Sequence, residues 1–292
     1  MVMSLRSKWA AGWGSVSEVL AYRRLGSKTA FRLGYNDQEV STELMMLCKR
    51  RYADTPIRFP YPSRMNSAII VAAGRSQRMG FDKLLSLLGD KPVVVHAIEP
   101  FQQCDIVDEV ILVVSPDRRT EFQQVVNSYG LTKVNRLVDG GSERHLSVWN
   151  GISHLSEACE IVAVHDAARP LVSPDLIDRA VRLAGECGAV SLAAPIVETL
   201  KLADLNQNVT GSVDRTGLWG MQTPQVFRFD WLVDAYKRIV DSGRTVTDEV
   251  SALHEAGYPV RLLQNPDWNI KITFPTDLDL AEKMINLREV KL

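Results

Sequence analysis

Arg75, Arg78 and Lys83 surround a loop, Gly74-Arg-Ser-Gln-Arg-Met-Gly80, that opens directly out of the apolar run Ala68-Ile-Ile-Val71. Three cations beside glycines imply a phosphate ligand. Glycine lets the backbone approach a ligand closely, and amides freed at a strand end hold anions. The spacing excludes two commoner phosphate loops: no Gly-Lys-Ser/Thr closes it as in a P-loop, and Gly74 and Gly80 alone do not make a dinucleotide G-x-G-x-x-G. On this segment alone, a basic turn exposed after a core strand stays open as the plainer reading.

The chemistry needs a frame, and the chain from residue 66 onward alternates strand and helix signals. Strands are expected over 66–72, 109–115, 135–138, 160–165, 188–194 and 259–264. Helices are expected over 92–103, 117–129, 143–157, 230–241, 248–256 and 276–287, with one more starting at Ser173-Pro174-Asp175, a Ser cap with Pro in the first turn. Continuous apolar strands alternating with helices predict an α/β fold: a doubly wound, mostly parallel, Rossmann-like sheet covered on both faces. Ligands then belong at the carboxyl ends of the strands. Residues 74–83, 140–147 and 166–169 each follow a strand, so the fold would gather them along one edge. Residues 197–220 break the alternation. Thr199–Ala203, a turn at Asn206–Asn208 and Ser212–Arg215 predict a polar β-hairpin, which is marginal alone and should lean on a second subunit.

Composition narrows the partners. Residues 1–65 carry 11 Lys/Arg against 5 Asp/Glu, and residues 66–292 carry 23 against 30, so the body is acidic and unsuited to nucleic acid. No apolar run reaches the roughly 18 residues a membrane span needs. Cys48, Cys104, Cys159 and Cys187 are scattered without zinc spacing, as reduced cysteines of a cytoplasmic protein would be. The first 65 residues lack a sustained period and contain the proline-broken Arg58-Phe-Pro-Tyr-Pro-Ser63. They are expected to be an extension outside the domain of 66–292, a mis-called start or disordered tail, with an organelle-targeting segment as the lesser alternative.

These pieces converge on a family. Ala72-Ala-Gly-Arg-Ser-Gln-Arg-Met79 with Lys83, Asp139-Gly-Gly-Ser-Glu-Arg144 with Ser147, His165-Asp-Ala-Ala-Arg-Pro170, Val213-Asp-Arg-Thr-Gly-Leu-Trp219, Thr223-Pro-Gln225, Thr247-Asp-Glu249 and Asn269-Ile-Lys271 stand in order through the domain. In that order and spacing the chain resembles the 2-C-methyl-D-erythritol 4-phosphate cytidylyltransferases. The resemblance implies transfer of CMP from CTP to a polyol phosphate with release of pyrophosphate, a magnesium ion carried mainly on the CTP phosphates, and a homodimer. It implies that Arg78 and Lys83 stabilise charge on the α- and β-phosphates and that Arg215 and Lys271 hold the attacking phosphate. It further implies that Ala72, Ala73, Gly74, Gly140, Ser142 and Ser147 read the cytidine, with Asp166 beside the ribose and magnesium. Arg169, Thr223 and Thr247 would contact substrate or shape its surroundings. Ser142 departs from the family, which often has an acid after the second glycine. Thr247-Asp-Glu249 is equally a plain helix start, and strand-end His165 reads as a hydrogen-bonded structural residue. A ribitol- or glycerol-phosphate cytidylyltransferase and a non-catalytic nucleotide-binding module remain the alternatives.

Overall fold

The computed structural model describes residues 64–74 and 80–289, so Arg75, Arg78 and the expected N-terminal extension up to residue 63 lie outside the described residues. Its centre is a seven-stranded sheet. Strand β1 (Met65–Ala72) takes up the apolar run Ala68–Val71 and lies between β4 (Glu109–Val114) and β6 (Cys159–Asp166), parallel to both. Strand β5 (Val134–Asp139) adds to β4 in parallel, and β7 (Ala189–Pro195) and β11 (Arg261–Gln264) pair in parallel on the far side. The order is β11-β7-β10-β6-β1-β4-β5, with β10 spanning Trp219–Arg228. Ile111, Leu112, Val113 and Val114 of β4 are all essentially inaccessible, as a strand covered on both faces requires.

Two apolar layers provide that cover. One packs α1 (Val93–Gln103), α2 (Arg119–Ser128) and α4 (Pro174–Cys187) on one face through Ile98, Phe101, Phe122, Ile177 and Val181. The other packs α3 (Arg144–Ile152), α5 (Phe229–Ser242) and α6 (Glu249–Glu255) through Val148, Leu232, Tyr236 and Leu253. Ser173 caps α4 with its hydroxyl on the Leu176 amide, as the Ser-Pro-Asp start predicts. The last helix, α7, spans Pro275–Glu289.

The unforeseen element is β10 (Trp219–Arg228), which runs antiparallel between β6 and β7. Its sequence hides it, because Pro224 cannot donate to a ladder and Gln222, Thr223 and Gln225 are polar. In the fold the pairing with β7 lapses between Met221 and Gln225, where Pro224 stands, and resumes at Gln225, whose side chain accepts from the Val250 amide and donates to the Asp248 carboxylate. A two-residue pair, β2 (Leu87–Leu88) with β3 (Lys91–Pro92), is also additional to the expected strands.

The expected hairpin is present as β8 (Leu200–Ala203) and β9 (Val209–Val213), closed by Asp204, whose carboxylate accepts from the Asn206 and Asn208 amides. The two strands pair with each other and, among the described residues, with no further strand. The arm also carries exposed apolar side chains, Val197, Leu202, Leu205 and Val209.

Candidate active site at the carboxyl edge of the sheet

From β1 the chain winds outward through β4 and β5, then returns to place β6 on the other side of β1. The connections after β1 and β6 therefore leave in opposite directions, which opens a crevice beyond their carboxyl ends. In register, Val71 stands opposite Asp166 and Val113, and Val114 stands opposite Asp139. A cleft of about 1010 Å³ occupies this edge, lined by Ala73, Gly74, Lys83, Gly140, Ser142, Ser147, Asp166 and Lys271 among others. Eight of the residues singled out in the sequence thus share one cavity. Ala72 is fully buried in β1 behind it, and Arg78 lies outside the described residues.

One wall is the turn after β5. The Gly140 amide donates to the Val114 carbonyl at 2.8 Å, and a Cβ at Gly140 would sit 2.4 Å from Ala73 Cβ. The turn can therefore lie against the β1 end only as glycine. The Ser147 hydroxyl accepts from the Gly141 amide at 3.1 Å and donates to the Glu143 carbonyl at 3.0 Å, so it shapes the loop around the cavity. Ser142 and Glu143 are exposed at the rim.

The floor is ionic. Asp166 Oδ2 accepts from Lys271 Nζ at 2.7 Å, and Asp166 Oδ1 accepts from Arg144 Nε and Nη2 at 3.1 and 3.0 Å. Arg144 also grips the fully buried Glu249 at 2.6 and 3.1 Å, and the Tyr236 hydroxyl donates to Glu249 Oε1 at 2.8 Å. Burial alone would raise the Asp166 pKa, but Arg144 and Lys271 hold it well below the usual carboxylate range. Burial works equally against the charge of Arg144, and Glu249 and Asp166 keep it cationic. Lys83 Nζ donates to the Ile272 carbonyl at 2.8 Å, which ties it to the Lys271 segment, and both lysines line the cleft.

Other singled-out residues hold this floor from behind. Arg169 is largely buried and donates to the Asn269 carbonyl at 2.7 Å and the Met221 carbonyl at 3.3 Å, tying the Lys271 segment to β10. Thr223 is buried, with its hydroxyl accepting from the Asp166 amide at 3.1 Å. Thr247 is exposed, and the residue that caps α6 is its neighbour Asp248, whose carboxylate accepts from the Ser251 amide. Arg215 is exposed on the arm, donates to the Val197 carbonyl and does not line the cleft of its own chain. Arg144 belongs to a quoted motif yet has no predicted role. Its partners lie 22 and 105 residues away, a distance that leaves no local signal.

His165 is fully buried beside this floor. Its Nε2–H donates to the Arg169 carbonyl at 3.0 Å, so the proton sits on Nε2, and Nδ1 accepts from the Thr223 hydroxyl at 3.0 Å. It is a neutral structural imidazole, and burial pushes its pKa down to about 4. As pH falls below 6.5 the unfolded chain takes up this proton first, so stability is full above about 6.5 and drains away toward pH 4. At 1.36 kcal/mol per pKa unit the loss totals about 3 kcal/mol. The Asp166 carboxylate is lost only below the usual carboxylate range and lies outside this window. Thermal melts from pH 7 to pH 4 should show the decline in the parent chain and a flatter profile in His165→Gln, whose amide can keep both hydrogen bonds. Parallel profiles would contradict the assignment.

Among the described residues no three His, Cys, Asp or Glu side chains gather as a metal cage, and no helix is long and apolar enough to cross a membrane. The family model for 2-C-methyl-D-erythritol 4-phosphate cytidylyltransferase matches residues 66–287. A relative of that name from Alkaliphilus oremlandii is 39% identical over 76% of this chain and 95% of its own length. Another, from Caldanaerobacter subterraneus, is 40% identical over 74% of this chain and 96% of its own length. The crystal structure of the 4-diphosphocytidyl-2C-methyl-D-erythritol synthase of Anaerococcus prevotii superposes with a TM-score of 0.67 at 26% identity, covering 77% of this chain and 97% of that one.

Proposed function

We infer how the residues of this cleft divide the work from the premise that the chain belongs to the 2-C-methyl-D-erythritol 4-phosphate cytidylyltransferase family. It is a CTP-dependent nucleotidyltransferase that moves CMP from CTP to methylerythritol phosphate and releases pyrophosphate. The observation that carries the assignment of roles is that Lys83, bonded to the Ile272 carbonyl, and Lys271 line one cleft together with the glycine-rich turn after β5.

The reaction brings two anions together. An ionised oxygen of the substrate phosphate attacks the α-phosphorus of CTP, a P–O bond forms there, and the bond to the β-phosphate oxygen breaks, leaving pyrophosphate. The attacking oxygen carries its charge already, so no general base is required and fixed cations do most of the work. Lys83, together with Arg78, meets charge growing on the α- and β-phosphates. Lys271 and the Arg215 fork hold the incoming phosphate in line. The backbone of Ala73, Gly74 and Gly140 and the Ser142 hydroxyl address the small pyrimidine, while Ser147 keeps that loop in shape.

Magnesium suits this donor set as a partner of the nucleotide. The ion usually takes one or two carboxylates and completes its shell with water and substrate phosphates; with the Asp166 oxygens already bonded to Arg144 and Lys271, the CTP phosphates would hold most of it and Asp166 would be a neighbouring carboxylate. Bound so, it would supply further neutralisation of the CTP phosphates. The arm, with its exposed Val197, Leu202, Leu205 and Val209, supports a homodimer in which each hairpin lies on the other subunit and delivers Arg215 to the other cleft.

The test is pyrophosphate release with CTP against methylerythritol, ribitol and glycerol phosphates. Methylerythritol phosphate should give the highest kcat/KM. A preference for ribitol or glycerol phosphate would favour the sister activity, and no release with any of them would favour a nucleotide-binding module.

A further inference from the structure

Lys271 presents a difficulty for the reading above. The ammonium that must hold a phosphate is already bonded to Asp166, and Asp166 is buried, so removing its partner would leave a carboxylate in a poor dielectric. Two arginines address this. Arg144 holds Asp166 Oδ1 through two N–H groups whether or not Lys271 is present. Arg169 is fixed by its two carbonyl bonds, and its buried Nε–H has no hydrogen-bond partner while lying 4.0 Å from Asp166 Oδ2. An unsatisfied buried donor is costly, and here it faces the oxygen that Lys271 would vacate. The charges agree. Without Lys271, Arg144 and Arg169 still match Asp166 and Glu249, two cations against two carboxylates.

We propose that Arg144, with Arg169 behind it, is the positioning residue that lets Lys271 leave Asp166 for the incoming substrate phosphate. Arg144 keeps Oδ1 neutralised, Arg169 closes on Oδ2, and the lysine becomes available to an anion in the cleft. Arg144 does this from the first turn of α3, directly after the glycine turn, so the pyrimidine-side loop and the phosphate-side lysine share one carboxylate. The inference rests on the role given to Lys271 above and adds a residue whose removal should weaken one substrate only.

The experiment is steady-state kinetics on the full chain, with each substrate varied in turn. Arg144→Gln strands the buried Glu249 and can unfold the protein, so the decisive variant is Arg144→Gln with Glu249→Gln. It removes both charges and leaves the Tyr236 hydroxyl an acceptor; a thermal melt checks that it folds. With Lys271 then the main partner of Asp166, KM for methylerythritol phosphate should rise about tenfold or more, the size of one lost charge-assisted contact, while KM for CTP stays within about twofold. Arg144→Lys, which keeps the charge beside Asp166 and Glu249, should recover most of that KM. Unchanged KM for both substrates, or equal losses for both, would overturn the proposal, as would failure of Arg144→Lys to recover. Lys271→Gln separates the two layers. If it leaves KM for methylerythritol phosphate unchanged, the reading of Lys271 fails and the proposal with it. If it raises that KM and the Arg144 variant does not, only the role of Arg144 falls.

Discussion

Replacing Lys83 by methionine should lower turnover by about 10²–10³ while CTP affinity changes far less. The direction follows from where the charge is. A group that meets the α- and β-phosphates of ground-state CTP and of the transition state equally strengthens binding without accelerating the step. Lys83 lines the cleft beside the Lys271 segment and is steadied by its bond to the Ile272 carbonyl. A cation so fixed gains most when charge accumulates between the two substrates, which happens only in transit. Methionine keeps most of the aliphatic stem and removes the charge. A melt should show little change, because the ammonium lies in a partly exposed cleft. The same outcome is expected for Arg78→Met, the cation five residues earlier in the chain. Equilibrium titration of CTP and steady-state kinetics decide it: equal losses in CTP affinity and in kcat/KM would assign Lys83 to ground-state binding.

The loops that carry such cations were legible because each follows a buried strand whose side chains announce it. β1 and β4 are continuous apolar runs, and the glycine turn after β5 marks where the backbone must come close. β10 was not legible for the opposite reason. Its Thr223 and Gln225 are buried polar residues, satisfied by His165, Asp166, Asp248 and Val250 from other elements, and a sequence cannot show partners brought in by the fold. Arg144 is the same case inside the site. Its local context, an arginine at the start of a helix, is unremarkable, and it becomes meaningful only once β6 and α6 bring Asp166 and Glu249 to it. Thr247 errs the other way: the Thr-Asp-Glu pattern offers two caps, and the backbone takes Asp248.

Mixing two inactive variants, Arg215→Ala and Lys83→Ala, should restore up to about a quarter of the parent activity. The expectation comes from the arm. β8 and β9 pair with each other alone among the described strands, and Leu202 and Val209 are exposed on them, so the hairpin lacks the support that a two-stranded ribbon needs in water. Arg215, at its base, is exposed and does not line its own cleft, which holds Lys83 and Lys271. A two-fold dimer resolves both difficulties at once: each arm is covered by the other subunit, and each Arg215 reaches a cleft it does not belong to. Every site then takes Lys83 from one chain and Arg215 from the other. A homodimer of either variant has no complete site. A mixed dimer has one, where the Arg215→Ala subunit supplies Lys83 and the Lys83→Ala subunit supplies Arg215. Random re-pairing of equal amounts makes half of the dimers mixed, each with one of two sites intact, hence the quarter. Dissociation and re-formation followed by the pyrophosphate assay read this directly, with differently tagged subunits to verify that mixed dimers formed. Verified mixed dimers as inactive as their parents would mean that Arg215 serves its own chain, and a monomeric mass in light scattering would remove the shared site altogether.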